Sequence, residues 1–166
     1  MEQSSNDTIN QQERLVNLAW LAGFFEGEGW IGFHTTSNRI TPGISLINTD
    51  FVLIERVSNI LKSLNVGFYI QTRKGGCDEN PAHKTAKVIE IAGFKRVRSL
   101  LTYLLPFLFG RKQQVASLLL EYVERRLALP SKPKATSHDW EYVHRIRALN
   151  KKGIQVSPET IRSTPL

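Results

Sequence analysis

LAGFFEGEG (Leu21–Gly29) sets two carboxylates, Glu26 and Glu28, between glycines at the end of an otherwise apolar run. Upstream, Asn10 followed by Glu13 reads as a capping box that opens a helix. The helix is predicted from Gln11 to Phe25, with Gly27 and Gly29 ending it. Leu15, Leu18, Ala19 and Ala22 share one face at helical spacing, and Val16, Trp20 and Phe24 lie on another. A helix that is apolar on both faces needs partners on both sides, such as its own sheet and a second subunit. Glu26 and Glu28 stand at i and i+2 and so point in different directions. The flanking glycines permit close backbone approach. A carboxylate beside an exposed carbonyl suits a hard cation such as Mg²⁺, which takes one or two carboxylates plus waters and phosphate oxygens. Alone, a Gly-Glu-Gly triplet is ordinarily a polar turn at a helix end.

Downstream, Trp30 to Ser37 alternates as a strand does, Asn38-Arg39 is the turn, and Ile40 to Asn48 is a second strand. Asp50 is the expected N-cap of a helix to Leu64, whose apolar positions are Val52, Ile54, Val57, Ile60, Leu61 and Leu64. A third strand, Phe68 to Lys74, and a fourth, Thr85 to Ala92, flank a loop through Gly75-Gly76 to Pro81. Helices follow over Phe94–Leu105 and Arg111–Leu127, separated by Pro106, which stops the first. SKPKATS (131–137) is a linker, Asp139–Asn150 a last helix, and the remainder a basic tail. Residues 1–10 are expected as a disordered arm and 11–166 as one domain. The order αββαββα predicts an α+β fold: one antiparallel sheet with helices on one face.

At 166 residues and 41% apolar content the chain holds one domain or two small ones, and wholesale disorder is excluded. The longest mostly apolar stretch, Leu100–Phe109, is broken by Thr102, Tyr103 and Pro106. As a helix it would reach about 15 Å, half a bilayer core, so no membrane partner is expected. The polar, acidic start reads as neither signal nor transit peptide. The one cysteine, Cys77, excludes an internal disulfide and points to a reducing, intracellular compartment: cytoplasm, nucleoid, chloroplast or mitochondrion. Residues 95–166 hold fourteen bases and five acids, 14 − 5 = +9, against +7 for the whole chain. Such a surface favours polyanions, nucleic acid above all.

The whole nonamer resembles the signature of LAGLIDADG homing endonucleases, with Phe24, Phe25, Glu26, Gly27 and Glu28 as family-typical substitutions. The element order is also that family's. Further similarity runs through PFLFGRKQQ (106–114), ALNKK (148–152) and SPETIR (157–162). One copy of the motif resembles the single-motif, homodimeric, intron-encoded branch. The resemblance makes Glu28 the metal ligand, the Gly27 carbonyl a second ligand, and Mg²⁺ or another divalent cation the cofactor. Glu26 matches a more structural acidic position. Ala22 and Gly23 match small residues that let two motif helices approach across a two-fold axis, and Leu18, Ala19 and Glu26 join them at the dimer interface. A basic residue beside the scissile phosphate falls on Arg111 or Lys112, with spacing from Gln114 pointing first to Arg111. A cation there stabilises charge developing on phosphorus. A polar position that orders water near the metal falls on Thr49 or Asn48.

The resemblance further implies that the sheet reads DNA. A two-stranded ribbon fits the major groove, and alternation sends one side-chain set to helices and the other to DNA. The DNA set is Trp30, Gly32, His34, Thr36 and Asn38 on the first strand, with Arg39 at the turn. Ile31 and Phe33 face the core. Tyr69, Gln71, Arg73 and Lys74 follow on the third strand, with Phe68 and Ile70 inward, and Val88 and Glu90 on the fourth. On the second, pattern puts Ser45 outward, whereas gap-free matching favours Leu46. Lys151 and Lys152 match phosphate-contacting tail positions. Together these imply a homodimeric, sequence-specific endonuclease that hydrolyses both strands of a long pseudo-palindromic site. The alternative is a maturase that binds intron RNA, or a non-catalytic DNA-binding protein.

Overall fold

The computed structural model describes residues 2–74, 84–130 and 134–151, with side chains from Asn10 onward. The elements are α1 (Glu2–Glu28), β1 (Gly29–Thr36), β2 (Arg39–Asn48), α2 (Phe51–Ser63), β3 (Tyr69–Arg73), β4 (Ala86–Ala92), α3 (Phe94–Leu104), α4 (Gly110–Leu127) and α5 (Ser137–Asn150). A 3₁₀ turn, Leu105–Phe107, carries Pro106 between α3 and α4. This is the expected αββαββα order plus added helices. The sheet is antiparallel throughout in the order β1-β2-β4-β3.

One face of the sheet is covered and the other open. Ile31, Ile44, Leu46, Ile89 and Ile91 are buried within one apolar cluster with Leu21 and Phe25 of α1, Ile54 and Leu61 of α2, Val97 and Leu101 of α3, Val115 and Leu119 of α4, and Val143 and Ile146 of α5. Removing that apolar surface from water is the main force that holds helices to sheet. Because strand side chains alternate, their neighbours in sequence necessarily point to the opposite face.

Three expectations need correction. First, α1 continues through Gly27 to Glu28, and β1 begins at Gly29. Gly27 therefore does not end the helix. Gly29 is the true hinge: a Cβ there would lie 2.2 Å from the Phe25 ring and 2.8 Å from the Phe25 carbonyl oxygen. The helix also starts ahead of Asn10, at Glu2, so residues 2–10 form its first turns. That segment has no proline or glycine to stop a helix. Second, Val52 is 74% exposed, although the other predicted apolar positions of α2 are buried. Asp50 caps α2 as expected, accepting from the Val52 N–H at 2.9 Å and the Leu53 N–H at 3.4 Å. Val52 thus lies in the first turn, at the outer end of the helix. Third, Ile70 is 47% exposed and every residue of β3 is exposed. β3 is an edge strand, and only an inner or covered strand has its inward side chains sealed.

α5 is fixed to α4 by a buried charge. Asp139 is fully buried and pairs with Arg125 and with Arg126 (3.2 Å). In a capping box it accepts from the Thr136 N–H at 2.8 Å while its own N–H donates to the Thr136 hydroxyl oxygen at 3.3 Å, and it accepts from the Thr136 hydroxyl at 3.0 Å. Burial alone would raise the Asp139 pKa. The Thr136 hydrogen bonds and the two guanidinium groups outweigh it and hold it below the usual carboxylate value. Tyr142 adds a bond of 2.6 Å to Glu121. So anchored, α5 lies along β1: Asn150 donates to the Ile31 carbonyl at 2.9 Å and Arg147 to the Thr35 hydroxyl at 2.7 Å.

Candidate functional site

The site grows from the place where α1 becomes β1. A helix end leaves carbonyl oxygens without intrahelical partners. Here Lys112, on the first turn of α4, fills that need: its ammonium donates to the Phe25 carbonyl at 3.0 Å and to the Gly29 carbonyl. A cation at a helix C-terminus is favoured by the aligned peptide dipoles. Lys112 is half-buried, and burial lowers its pKa from the usual lysine value, while Glu26 and Glu28 partly offset the shift. Of the two basic candidates, Lys112 therefore stands at the carboxylate pair. Arg111 is exposed and turns the other way, donating to the Lys151 carbonyl at 3.4 Å. Spacing from Gln114 pointed first to Arg111. A one-residue step on a helix turns the side chain by about 100°, so the two cations are directed to different partners.

The two glutamates divide as two opposed directions require. Glu26 accepts from the Phe109 N–H at 2.9 Å. It thus holds the residue that caps α4, and with it the start of the helix that carries Lys112. Glu28 is exposed and accepts no hydrogen bond among the described residues. Gly27 is exposed as well, with open space around it. Among the described residues no three His, Cys, Asp or Glu side chains group as a metal cage. One free carboxylate and an adjacent backbone carbonyl are nevertheless a fitting partial donor set for Mg²⁺, which completes its shell with water and phosphate. Thr49 is exposed just past β2, at the same end of the sheet as Gly29, because Leu46 pairs with Gly29. Asn48, its alternative, is occupied in the turn, accepting from the Asp50 N–H at 2.8 Å.

The open sheet face carries the expected reading set. The registers Trp30↔Ser45, Ser45↔Glu90 and Glu90↔Tyr69 align four side chains across all four strands. Ser45 is outward and Leu46, 1% exposed, is core, which settles the register of β2. Thr41, Gly43 and Ile47 then belong to this face too. They were missed because Pro42 and Gly43 blur the alternation of ITPGISLIN, although counting by twos from Ser45 finds them. His34 approaches Glu90 at 3.4 Å, and Gln71 donates to Glu90 at 3.4 Å. Arg73, Thr36, Asn38, Arg39, Lys74 and Lys151 are exposed. Lys152 lies outside the described residues.

Two members of that set do not reach the surface. Gly32 is buried because the Trp30 ring lies over it, 2.8 Å from where a Cβ would be. Val88 is on the open face by register but only 5% exposed, a short side chain between its cross-strand partners Ile47 and Gln71. Trp30 and His34 lie 4.9 Å apart, centroid to centroid, above Gly32 and Gly43. Trp30 is thus partly exposed on the open face, as expected, and covers Gly32 there.

The dimer set divides by helical phase. Leu18 and Ala22 are buried in the chain's own core. Ala19 and Gly23 are exposed, with Val16 (59% exposed) and Gly27 on the same side. Leu18 and Ala22, expected with Ala19 and Gly23 at a dimer interface, thus face the chain's own core instead. Those two have the spacing that meets Phe25, the buried anchor of the Gly29 hinge. Trp20 and Phe24 stack at 5.3 Å beside this stripe, with the Arg56 guanidinium 4.0 Å over Trp20.

No family model and no curated protein matches the sequence. Solved structures do. The homing endonuclease I-CvuI, in complex with a DNA target in the presence of Mg, superposes with a TM-score of 0.62 at 18% identity, over 90% of this chain and 92% of that one. The LAGLIDADG meganuclease I-AabMI, bound to uncleaved DNA, gives 0.56 at 17% identity over 87% of this chain and 48% of that one. The homing endonuclease I-TnaI gives 0.56 at 15% identity, covering 81% and 88%. The helix that ends in LAGFFEGEG, the sheet it feeds and the helices behind them together have the fold of the LAGLIDADG homing endonucleases.

Proposed function

We propose that the chain is a sequence-specific DNA endonuclease acting as a homodimer in intron homing, in an intracellular compartment (cytoplasm, nucleoid or organelle). The observation that carries the reading is the junction where exposed Glu28 and half-buried Lys112 lie together at one end of an open sheet face. A single chain has half of what the chemistry needs. The small, uncharged stripe Val16, Ala19, Gly23 and Gly27 leaves α1 able to approach a second copy closely. Length supports the same arithmetic: the chain spans nearly all of I-CvuI and about half of I-AabMI. Two copies would bring two Glu28 carboxylates to one axis and set two reading faces side by side.

In the reaction Glu28, with the Gly27 carbonyl, would hold a divalent cation. Mg²⁺ bound there supplies a Lewis acid for the phosphate and lowers the pKa of coordinated water. The chain's own residues do the rest. Lys112 presents a fixed positive charge to the phosphate as negative charge builds on it. Its two carbonyl bonds prevent it from swinging to Glu28 and neutralising the ligand. Glu26 sets the start of α4 and therefore the position of Lys112. Thr49 offers a hydroxyl to solvent at that end of the sheet. Gln71, Arg73 and His34 offer donors to base edges, and Arg73 suits guanine.

The test is a linear duplex carrying the intron insertion site, with Mg²⁺ or EDTA. Mg²⁺-dependent double-strand cuts support the reading. Binding without cuts favours the maturase or non-catalytic alternative, with intron RNA as the competing ligand. The cleavage rate should also fall with rising pH as Lys112 loses its proton, below the ordinary lysine value of 10.5. Lys112→Arg should move that limb beyond the measurable range. A pH profile identical in both proteins would remove Lys112 from the chemistry.

A further inference from the structure

A cavity of about 690 Å³ lies at the outer end of the β1–β2 hairpin, away from the Glu28 junction. It is formed by the hairpin turn, the start of α3, the end of α4 and the approach to α5. Its floor is apolar, with Phe94 and Tyr122 6.0 Å apart. Its rim carries Arg39, Lys95, Arg96, Arg126 and Lys134, and among the described residues no acidic side chain lines it.

The cations are not equivalent. Arg126 is engaged with the buried Asp139, and Arg96 donates to the Tyr69 hydroxyl at 2.7 Å. Arg39, Lys95 and Lys134 are exposed and form no ion pair among the described residues. Lys95 is also placed against the electrostatic preference of its helix. It sits in the first turn of α3, where carboxylates are favoured and cations are not. That turn has no acidic residue and no side-chain cap, since Gly93 stands at the cap with φ of 95°. Three exposed cations without an ion pair among the described residues and a helix start without a side-chain cap line one hollow, an arrangement that favours an entering oxyanion.

We infer that this cavity binds the phosphodiester backbone of duplex DNA flanking the segment that the sheet reads. This rests on the function proposed above. Arg39, Thr41 and Ala92 line the cavity and also fall on the open face by register, so one duplex laid on that face runs to its mouth. β1 has eight residues, about 25 Å at 3.3 Å each. Two chains meeting at Glu28 would set their cavities roughly 50 Å apart, about 15 base pairs. Contacts there add affinity without sequence and lengthen the footprint at both ends.

The test is Lys95→Gln combined with Lys134→Gln, neither residue being part of the Glu28 site. Binding is measured against salt for two duplexes with the same centre, about 14 and about 40 base pairs long. On the long duplex the double variant should bind about tenfold more weakly at low salt, with a salt slope smaller by about 2. On the short duplex it should match the parent within about twofold. Equal losses on both duplexes, an unchanged slope on the long one, or a loss confined to single-stranded oligonucleotides would each overturn the inference. The function proposed above fails differently: the unsubstituted protein would then cut neither duplex with Mg²⁺.

Discussion

β1 and β3 are the two edges of one sheet, and they are finished in opposite ways. Along β1 two outward carbonyls and one side chain are taken: Gly29 accepts from Lys112, Ile31 from Asn150, and the Thr35 hydroxyl from Arg147. Along β3 all five residues are exposed, and the strand runs into Arg73 and Lys74. An open edge invites pairing with other chains unless charge or shape discourages it, and two cations at the strand end do so. The covered edge belongs to the Glu28 junction. If Glu28 holds a cation as proposed, the backbone there must be fixed, because a ligand misplaced by about 1 Å loses much of its effect. The free edge borders the open face, where, under the proposed function, side chains would need room to meet bases. Rigidity is concentrated where a phosphate would react, and exposure where a sequence would be read.

Four substitutions break or sharpen that contrast, in descending order of effect. Asp139→Ala removes the carboxylate that holds two arginines between α4 and α5, and should cost about 4 kcal/mol in urea unfolding. It should also speed hydrogen exchange along β1 and leave β3 unchanged. In the parent this contribution is full above the ordinary aspartate value of 3.8, since the folded pKa is lowered. It is lost as the pH falls from there through the lowered value. Gly29→Ala drives a methyl group into the Phe25 ring and carbonyl, so the hinge must shift, at about 2–3 kcal/mol. The last two form a pair. Asn150→Ala removes one bond from the covered edge and should cost about 1 kcal/mol. Ile70→Thr on the free edge should stay within about 0.5 kcal/mol. A larger loss at Ile70 than at Asn150 would reverse the contrast.

The same two edges mark what could be read from the sequence. Local pattern gave the order of elements, the Asp50 cap and the alternation of β1, since each depends on neighbours within a few residues. The nonamer gave Glu26 and Glu28. Which strands lie at the sheet's edges is a long-range fact, so the exposure of Ile70 was not legible. Phase along α1 was misjudged for a similar reason: Leu18 and Ala22 look no different in sequence from Ala19 and Gly23. Only packing against Phe25 separates them. That Lys112 rather than Arg111 lies against the end of α1 depends on how α4 packs there, which spacing alone does not give. The cationic hollow joins residues from 38 to 135, and no local pattern foretells it.

The central claim is that Glu28 acts on phosphate and is dispensable for holding DNA. The direct measurement compares the parent with Glu28→Gln on one duplex, by gel shift and by Mg²⁺-dependent cleavage. The variant should bind within about threefold of the parent and cut at least about a thousandfold more slowly. Undiminished double-strand cleavage by the variant would contradict the account.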